Sequence, residues 1–412
     1  MPDAWTVTVK INDSGSDERH RLISGPGNLA FDRRGYACVT NNTVQGTPNS
    51  GRFNLVFKPN GQPADGTNGT PRSPLTGGAV LGAGYGVTID HHSVWFGNFG
   101  WGNCRGCDPS REGNGSVSRF TLTRMPLSPP DAYHGGPVRA QGMAADAEGN
   151  IWISSFKNNS VFVFKHANPD QSVRFDQQFG SGPFDIAIAA DGSAWVTNGL
   201  GLPPATIAKY ALVNGELVQQ FRHLLGDQLR GISLDSQGNA WVASQGERAE
   251  FVYALRAVDG SEIGHFNGGG IDHPWGMTVD GEDNVWVGNF GPLKLRSNFR
   301  GRLTKLWGVN APPGHNVGDP ISPRTGYTVP TAGSEVLLHN GVPLYGYGQP
   351  PGPPSFIPMM RCTEVNIDQA GNLWFINNWK PDFYIDTIGG NPGGDGIIIF
   401  VGLAPPPTTQ VH

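Results

Sequence analysis

Three oxygen-bearing side chains replace glycine at one position of a segment that recurs seven times along the chain. The position carries Asn28, Asp185 and Glu364 in three copies. The other four copies carry Gly86, Gly142, Gly231 and Gly276. Two carboxylates and an amide oxygen form a hard-oxygen set of the kind that binds Ca²⁺ or Mg²⁺. We therefore predict that Asn28, Asp185 and Glu364 hold a divalent cation if the fold brings the copies together.

A salt-bridged channel is the competing interpretation of the same residues. A buried carboxylate is costly unless it is solvated, paired or bound to a cation. Arg230 and Arg361 lie close to this position in their own copies, and either arginine could pair with Asp185 or Glu364. The two interpretations differ in whether the site needs an ion at all.

Candidate catalytic and ligand-binding residues lie around the same position. Glu364 or His273 would accept a proton as a general base, and Arg361 completes the candidate catalytic set. Aromatic residues near the start of the copies and in the long loops would form an apolar wall for a ligand. The candidate substrate-binding residues are Tyr85, Trp101, Arg230, Trp275, Phe290 and Trp379. The chain has no G-x-S-x-G, no phosphate-binding glycine loop and no H-E-x-x-H.

The recurring segment is clearest in residues 142–155, which read GMAADAEGNIWISS. Six further copies begin at residues 28, 86, 185, 231, 276 and 364. Each copy has an alternating apolar run, a polar turn, and a second apolar run that contains Trp in six copies and Cys38 in the seventh. This pattern predicts a β-hairpin. We expect the aspartates to cap turns, the tryptophans to pack between repeats, and the four glycines to relieve crowding at an axis.

Seven hairpin repeats that cannot bury their own faces predict an all-β, seven-bladed β-propeller. Each blade is expected to have four strands. The solitary strand at residues 5–10 is expected to pair into the last blade and close the ring. Residues 1–402 then form a single domain, with a Pro/Gly-rich insertion at about 309–360 between blades 6 and 7. Residues 403–412 form a C-terminal tail.

Long segments between the second and third strands occur in four blades that are neighbours in a closed ring. They span residues 41–51, 98–115, 289–301 and 377–396. Because the second strand ends where the innermost strand begins, these segments should gather on one side of one face. Loops carry function more readily than the scaffold does, so this face is the predicted ligand-binding face.

Composition supports this fold and excludes several classes of partner. The 412 residues include 60 glycines and 34 prolines, with only 15% charged residues, which is typical of a turn-rich β protein. The net charge of -5 argues against a nucleic-acid ligand. No apolar run is long enough for a membrane helix, and the first five residues lack the features of a signal peptide. The predicted partner is a small-molecule or oligomeric organic ligand, without nucleic acid or membrane insertion.

An isolated C-x-x-C pair, Cys104 and Cys107, bears on where the protein is found. The pair lacks the further ligands of a zinc site and the helix start of a redox motif. A small disulfide between Cys104 and Cys107 is therefore the preferred interpretation. Such a disulfide favours an extracellular or periplasmic location, with a cytoplasmic location as the alternative. Cys38, which takes the place of the repeat's Trp, is expected to be a buried apolar residue.

The D-x-x-G-N-x-W-[VIF] pattern resembles the propellers of the NHL-repeat and streptogramin-lyase-like group, and more loosely the lactonases related to regucalcin. The resemblance covers roughly residues 20–402 and implies the propeller fold. Regucalcin-like lactonases hold their ion with oxygen sets similar to the one described above. Virginiamycin-B-lyase-like enzymes carry a catalytic histidine at P-H-x-I, just after the proline that opens the inner strand. The corresponding positions here are Gly27, Tyr85, Gln141, Phe184, Arg230, Trp275 and Thr363.

No histidine occupies any of those seven positions, so the resemblance does not carry the lyase histidine over. Those enzymes also tend to end the second strand W-F-T-E, whereas this chain ends it with Asn or Ser. His273, two residues before Trp275, is the nearest substitute. The resulting hypothesis is a hydrolase or lyase that acts on an ester, lactone or similar bond, assisted by a divalent ion. The alternative is a non-catalytic propeller that binds a ligand, a glycan or a protein.

Overall fold

Each sequence repeat folds into an antiparallel sheet, and seven such sheets form a ring in the computed structural model. Each inner strand packs against the inner strands of the blades on either side. The structure describes residues 8–11, 23, 25–41, 53–80, 82–100, 115–130, 133, 136–177, 182–199, 205–246, 250–292, 301–329, 335–336, 338–339, 342–343, 355–356, 359, 361–379 and 396–407. The predicted all-β, seven-bladed β-propeller is confirmed.

The strands follow one another through the ring in chain order. The chain starts with β1 (Thr8–Ile11). Blade 1 contains β2 (Pro26–Phe31), β3 (Ala37–Asn41), β4 (Phe53–Phe57) and β5 (Leu75–Thr76). Blade 2 contains β6 (Ala83–Ile89), β7 (Ser93–Asn98) and β8 (Ser116–Thr121). Blade 3 contains β9 (Ala140–Ala145), β10 (Ile151–Ser155), β11 (Ser160–Phe164) and β12 (Ser172–Asp176). Blade 4 contains β13 (Pro183–Ile188), β14 (Ala194–Asn198), β15 (Thr206–Val213) and β16 (Glu216–Leu224).

The remaining blades continue the same order. Blade 5 contains β17 (Leu229–Leu234), β18 (Ala240–Ser244), β19 (Phe251–Leu255) and β20 (Glu262–Phe266). Blade 6 contains β21 (Pro274–Val279), β22 (Val285–Asn289) and β23 (Arg302–Leu306). Two short pairs follow, β24 (Glu335–Val336) with β27 (Ser355–Phe356) and β25 (Leu338–His339) with β26 (Val342–Pro343). Blade 7 contains β28 (Arg361–Ile367), β29 (Leu373–Trp379) and β30 (Ile397–Phe400). Three 3-10 helices lie at Thr67–Gly69, Lys165–Ala167 and Pro169–Gln171.

The N-terminal strand closes the ring, as predicted. β1 pairs antiparallel with β30, and Thr8 lies opposite Phe400 while Ile11 lies opposite Ile397. Blade 7 is therefore built from both ends of the described chain. Just after β30, Ala404 is buried in the core between blades 6 and 7. None of the described residues forms a helix long and apolar enough to cross a bilayer.

Blades 2 and 6 depart from the expected four strands, since the described residues of each blade form a sheet of three. At the outer edge of blade 2, Phe120 makes a single bridge to Pro126. At the outer edge of blade 6, Leu306 makes a single bridge to Pro320. Proline has no N–H to donate to a neighbouring strand, which disfavours a longer ladder of hydrogen bonds at either place.

The repeated tryptophans connect neighbouring blades, as predicted. Trp152 of blade 3 packs into a core cluster with Ile186 and Val196 of blade 4. Trp374 of blade 7 packs in the same way against blade 1, and Cys38 of blade 1 takes the equivalent place against blade 2. The second strand of each blade therefore supplies one residue, Trp or, in blade 1, Cys38, to the contact with the next blade. This contact holds the ring together.

The repeated aspartates cap the turns, also as predicted. Asp146 accepts hydrogen bonds from the backbone N–H groups of Glu148 and Asn150, at 3.0 and 2.9 Å. Its second oxygen accepts one from the indole Nε1 of Trp152 at 2.9 Å. The spacing of Asp and Trp in the repeat therefore reflects one buried network that joins the turn to the interblade contact.

Blade 4 lacks this network, which leads to a prediction. Ala189 stands where the other blades carry Asp, and the buried indole nitrogen of Trp195 has no hydrogen-bond partner among the described residues. The Ala189 turn has the backbone hydrogen bonds of the Asp146 turn. Lys209 lies over the Trp195 ring and offers a counter-charge. We expect Ala189→Asp to raise the free energy of unfolding by about 1 kcal/mol, measured by urea denaturation.

The neighbouring substitution Ala190→Asp is the control for that experiment. Ala190 is exposed, so Ala190→Asp adds the same charge at a place where the carboxylate neither reaches the Trp195 indole nor caps the turn. Ala190→Asp should change the free energy of unfolding by no more than about 0.5 kcal/mol. Equal effects of the two substitutions would show that the unpaired indole of Trp195 does not limit stability.

Candidate functional site

A β-bulge interrupts every inner strand at a similar place, and residues at or next to these bulges line the axis of the ring. In blade 4 the pairing with β14 shifts between Pro183 and Ile186, so Phe184 and Asp185 together lie opposite one residue of β14. Equivalent shifts occur in the inner strands of the other six blades. A bulge of this kind bends the strand and re-aims its side chains. We call the face where the inner strands begin the upper face.

The three predicted cation ligands meet at the axis. Asn28, Asp185 and Glu364 line one cavity of about 10 Å³, measured as the space open to the centre of a water molecule. Among the described residues, the lining comprises Asn28, Tyr85, Gly142, Phe184, Asp185, Gly231, Trp275, Thr363 and Glu364. This volume accommodates about one water molecule or one ion. The fold therefore brings the three oxygen-bearing side chains around a space of the size that a single ion needs.

Crowding explains the glycines at this level of the axis, as predicted. A Cβ on Gly142 would lie 2.4 Å from the carbonyl oxygen of Phe184, and one on Gly231 would lie 2.4 Å from that of Trp275. The inner strands of these blades therefore touch through their backbones. Only blades 1, 4 and 7 carry a side chain at this position, so Asn28, Asp185 and Glu364 are the oxygen donors that this level of the axis supplies.

Each of the three side chains is fixed by the backbone N–H of the residue that follows it. Asn28 Oδ1 accepts from Leu29 at 2.6 Å, and Glu364 Oε1 accepts from Val365 at 3.0 Å. Asp185 Oδ1 accepts from Ile186 at 2.9 Å, and its Oδ2 accepts from Ile232 of blade 5 at 3.2 Å. Every oxygen used here keeps a further lone pair for another donor or an ion.

The two carboxyl groups of the site, Asp185 and Glu364, both have raised pKa values. Burial raises the pKa of Asp185 to about 6, although the N–H groups of Ile186 and Ile232 act in the opposite direction. Part of the Asp185 side chain is exposed, but it faces the narrow cavity. Burial and then the charge of Asp185 raise the pKa of Glu364 well above its ordinary value.

Neither carboxylate has a cationic partner. In the part of the chain that the structure describes, no Lys, Arg or His nitrogen lies within 4.0 Å of an oxygen of Asp185 or Glu364. The described residues therefore form no salt-bridged channel at the axis. Two buried carboxylates and an amide oxygen around a one-ion cavity fit a hard divalent cation, because the cation would supply the missing positive charge.

The two arginines of the alternative interpretation have other partners. Arg230 donates from Nε to Gln245 Oε1 at 2.9 Å and from Nη2 to Gln228 Oε1 at 3.1 Å. Burial lowers the pKa of its guanidinium to about 10. Arg361 donates from Nη1 to the carbonyl oxygen of Pro292 at 2.7 Å. Both arginines are buried near the upper face and neither lines the axial cavity.

Three aromatic rings border the cavity at its upper end. Tyr85, Phe184 and Trp275 come from blades 2, 4 and 6, and the centroids of each pair lie 5.6 Å apart. The stack continues from Trp275 to Phe290 at 4.8 Å, and from Phe290 to Trp379 at 5.7 Å. Four of the predicted ligand-binding aromatics therefore form one cluster together with Phe184, which the sequence reasoning did not select.

Arginines bracket this aromatic cluster. The Arg230 guanidinium lies over Phe184 at 5.3 Å and over Trp275 at 4.7 Å, while that of Arg361 lies over Phe290 at 5.2 Å. Phe290 is only 1% exposed, whereas Trp379 is partly exposed. Trp379 is thus the member of the stack that presents a ring to the upper face, and Phe290 supports it from beneath.

His273 lies between two carboxylates from different blades. Its Nδ1 is 3.0 Å from Oδ1 of Asp272, and its Nε2 is 3.5 Å from Oε1 of Glu250, just before β19 of blade 5. The imidazole is buried, its Nε2 has no hydrogen-bond partner within the part of the chain that the structure describes, and the backbone φ of His273 is +51°. Such a conformation costs about 1 kcal/mol or more in a residue other than glycine, and it often marks a functional position.

Asp272 and Glu250 were missed by sequence reasoning. Asp272 could have been found because it adjoins His273, but Glu250 belongs to another blade and meets the pair only in the folded ring. Trp101, Cys104 and Cys107 lie outside the described residues, so the disulfide and the location that it implies stay predictions. The central parts of the four long loops also lie outside the described residues.

The asparagines that end the second strands support the scaffold. Asn98 Nδ2 donates to Ser116 Oγ and Ser118 Oγ of the third strand, at 2.9 and 2.8 Å. Asn289 Nδ2 donates to Thr304 Oγ1 at 3.1 Å, and its Oδ1 accepts from the N–H of Asp272. These buried amides fix the upper ends of the strands, and Asn289 also fixes the loop that carries His273.

Comparison with known proteins identifies structures of the same fold. No protein-family model matches the chain, and no curated protein matches it. A catalytically inactive histidine-to-alanine variant of virginiamycin B lyase from Staphylococcus aureus, solved with quinupristin, shares 12% identity at a TM-score of 0.55. The match covers 95% of this chain and 98% of that one. A provisionally assigned 6-phosphogluconolactonase from Bacteroides fragilis shares 11% identity at a TM-score of 0.53.

That second match covers 78% of this chain and 95% of the other. The extracellular domain of a provisionally assigned hybrid two-component system from B. thetaiotaomicron shares 12% identity at a TM-score of 0.50, over 96% of this chain and 40% of that one. Identities this low show the fold alone, and the same propeller serves enzymes and other proteins. The predicted resemblance is confirmed at that level: the chain has the propeller fold of virginiamycin B lyase and of lactonase-type proteins.

Proposed function

We propose that the protein is a propeller enzyme that cleaves an ester, lactone or similar C–O bond of an organic ligand at the upper face. The observation that carries this proposal is the pair of buried carboxylates at the axis, Asp185 and Glu364, which face a one-ion cavity without a cationic partner. Buried carboxyl groups whose pKa is raised above its ordinary value cluster at functional sites. The solved lyase and lactonase-type propellers agree with this class of chemistry.

Asn28, Asp185 and Glu364 would hold the cation, which is Ca²⁺ or Mg²⁺ in this proposal. When bound, such an ion neutralises the carboxylates and polarises a carbonyl oxygen. The aromatic rings of Tyr85, Phe184 and Trp275 narrow the access to the axis and exclude bulk water from it. Trp379, on the upper face, offers a flat apolar surface for the body of the ligand.

The proton acceptor of the reaction lies at His273. Glu364 was the other candidate base, but as a cation ligand it cannot also receive a proton. In this proposal Nδ1 of His273 donates its hydrogen to Oδ1 of Asp272, so the lone pair that can accept a proton is on Nε2. In the hydrolytic form, a water molecule adds its oxygen to the acyl carbon as the acyl C–O bond breaks, and the proton taken up near Nε2 passes to the leaving oxygen.

A panel of simple substrates tests the proposal. Protein freed of metal with EDTA is assayed on δ-gluconolactone, dihydrocoumarin and p-nitrophenyl acetate, with and without added Ca²⁺ or Mg²⁺. We expect hydrolysis that depends on the added ion and falls at least about 100-fold in Glu364→Gln. The control Glu216→Gln removes an exposed carboxylate from the outer strand of blade 4 and should keep full activity. Hydrolysis that survives both EDTA and Glu364→Gln would contradict the metal-assisted mechanism.

A non-catalytic binding propeller is the second candidate, and the size of the axial cavity favours it. A space for one water molecule has no room for a substrate's reacting group beside an ion in the conformation described. In this case the ion would stabilise the ring while the loops of the upper face bind the ligand. Binding of Ca²⁺ without hydrolysis of any panel member, together with a higher melting temperature, would favour this function over the enzymatic one.

A further inference from the structure

We propose that His273 and Glu250 form a second metal site, which takes a transition-metal ion such as Zn²⁺ on the upper face between blades 5 and 6. The group comprises Glu250, Asp272 and His273, whose nearest ligand atoms all lie within 4.8 Å of one another. It is separate from the axial cavity, because none of the three residues lines that cavity. The proposal concerns metal binding alone and holds whether or not the protein cleaves an ester.

The distance between the two facing atoms supports a bridging ion. His273 Nε2 and Glu250 Oε1 lie 3.5 Å apart, which is too long for a good N–H···O hydrogen bond. Two ligands at about 2.1 Å from a tetrahedral zinc ion are separated by about 3.4 Å. The distance between His273 Nε2 and Glu250 Oε1 is therefore close to that expected between two ligand atoms of one tetrahedral ion.

Asp272 fits the role of the carboxylate that orients a metal-binding histidine. Its Oδ1 lies 3.0 Å from His273 Nδ1, on the opposite side of the ring from Glu250. Its Oδ2 is 4.0 Å from a guanidinium nitrogen of Arg302. Histidines that bind metals through one nitrogen almost always donate the other N–H to such a group, which fixes the tautomer and the ring orientation. Nε2 is thereby left as the ligand atom.

Burial gives an independent reason to expect an ion at this place. The His273 side chain is only 7% exposed, and its buried Nε2 has no hydrogen-bond partner among the residues that the structure describes. A lone pair that faces a carboxylate across 3.5 Å is repelled by it, so a positive charge between the two atoms would relieve the contact. The side chains of Glu250 and Asp272 are 35% and 26% exposed, so solvent can complete the coordination shell.

Ligand chemistry distinguishes this site from the axial one. The axial set consists of three oxygen donors and suits Ca²⁺ or Mg²⁺. The set at His273 includes an imidazole, which suits Zn²⁺, Co²⁺ or Ni²⁺. An ion on Nε2 would occupy the lone pair that accepts the proton in the metal-free protein, so in the zinc-loaded protein a hydroxide formed from water on that ion would take over this role. That last step rests on the proposed function, whereas metal binding does not.

Titration of the metal-free protein with Zn²⁺ and Co²⁺ tests the site, by calorimetry and by the visible spectrum of bound Co²⁺. We expect one ion per chain, with affinity at least about 10-fold weaker in His273→Asn and in Glu250→Gln. Asparagine accepts a positive φ, so His273→Asn should remain folded. Glu250→Gln keeps the shape of the side chain and provides the second variant if the first does not fold.

Two variants serve as matched controls. Glu364→Gln alters the axial site and should leave Zn²⁺ binding unchanged while it removes the response to Ca²⁺. His265→Asn removes the imidazole of an exposed His–Glu pair, His265 with Glu262, and should also bind Zn²⁺ as before. The proposal is overturned if the wild-type chain binds neither Zn²⁺ nor Co²⁺, or if His273→Asn binds them as tightly as wild type. Loss of lactone hydrolysis with Zn²⁺ binding intact would count against the proposed function alone.

Discussion

Gly142→Ala is expected to destabilise the protein by about 3 kcal/mol or more, although it adds a single methyl group. That methyl carbon would lie 2.4 Å from the carbonyl oxygen of Phe184 and 2.7 Å from the Cα of Asp185. Both are backbone atoms at the axis, so blades 3 and 4 would have to separate. The hydroxyl of Ser154, which bridges the N–H of Gly142 and the oxygen of Phe184, would lose its geometry as well. Urea denaturation gives the loss directly.

Gly149→Ala is the appropriate control, since it lies in the turn of the same hairpin. Gly149 has a φ of +78°, but a Cβ there would have no atom within 4 Å. Its substitution should cost about 1 to 2 kcal/mol through the backbone alone. The larger loss of stability in Gly142→Ala should be accompanied by weaker Ca²⁺ binding, because the separation of blades 3 and 4 would move Asp185. If Gly142→Ala were no worse than Gly149→Ala, the axis would not be as crowded as described.

Glu364→Gln is expected to stabilise the metal-free protein at neutral pH and to abolish its stabilisation by Ca²⁺ or Mg²⁺. Glu364 and Asp185 share one cavity without a cation, so a second buried charge is unfavourable there. Glutamine keeps the oxygen that accepts from the N–H of Val365 and removes the charge. In the wild-type chain, an ion at 100 times its Kd should add about 2.7 kcal/mol to the free energy of unfolding. Thermal unfolding with EDTA and with each ion measures both effects.

The pH dependence of stability provides an independent measure of the same site. The pKa of Asp185 is raised from 3.8 to about 6, so the folded protein holds its proton more tightly than the unfolded chain. The associated stability is fully present below pH 4 and is lost as the pH rises through 6. Asp185 accounts for about 2 to 3 kcal/mol of this loss in metal-free protein, allowing for the water that reaches the cavity.

The raised pKa of Glu364 adds to the loss at higher pH, so the advantage of Glu364→Gln should grow as the pH rises. Saturating Ca²⁺ should flatten the dependence in the wild-type chain, because the ion holds both carboxylates in their charged form. The substitution Glu216→Gln should change none of these curves. A metal-free Glu364→Gln protein that is less stable than wild type at pH 8 would show that Glu364 is paired in the folded state.

The ring and its axis were predictable from the sequence because the repeat fixes the register of each hairpin. Once Asp146 is recognised as a turn residue and Trp152 as an interblade contact, Gly142, four residues before Asp146, must lie on the inner strand. The same spacing in the other repeats places Asn28, Asp185 and Glu364 at one height along the axis of the ring. Closure by β1 was predictable too, since blade 7 has only three strands of its own.

Other features could not be predicted, because they depend on contacts between blades. The bulge in each inner strand turns Phe184 and Asp185 together toward the axis, whereas simple strand alternation would place them on opposite faces. The sequence left open whether an ion or the arginines would pair with the carboxylates, and only the structure shows that Arg230 donates to Gln228 and Gln245 instead. The partner of His273 across the blade boundary, Glu250, has no signal in the spacing of either repeat.

The pairing of β1 with β30 also constrains how the protein reaches its native state during synthesis. Blades 1 to 6 are assembled from strands that are close together in sequence, so each can fold soon after it emerges from the ribosome. Blade 7 needs both Thr8–Ile11 and Ile397–Phe400, so it cannot close until β30 has been synthesised. Until then, β1 has no strand partner and the face of blade 1 that packs against blade 7 is uncovered. Closure of the ring therefore comes after the other six blades have been synthesised, and it completes the cavity around Asn28 and Glu364 at the same moment.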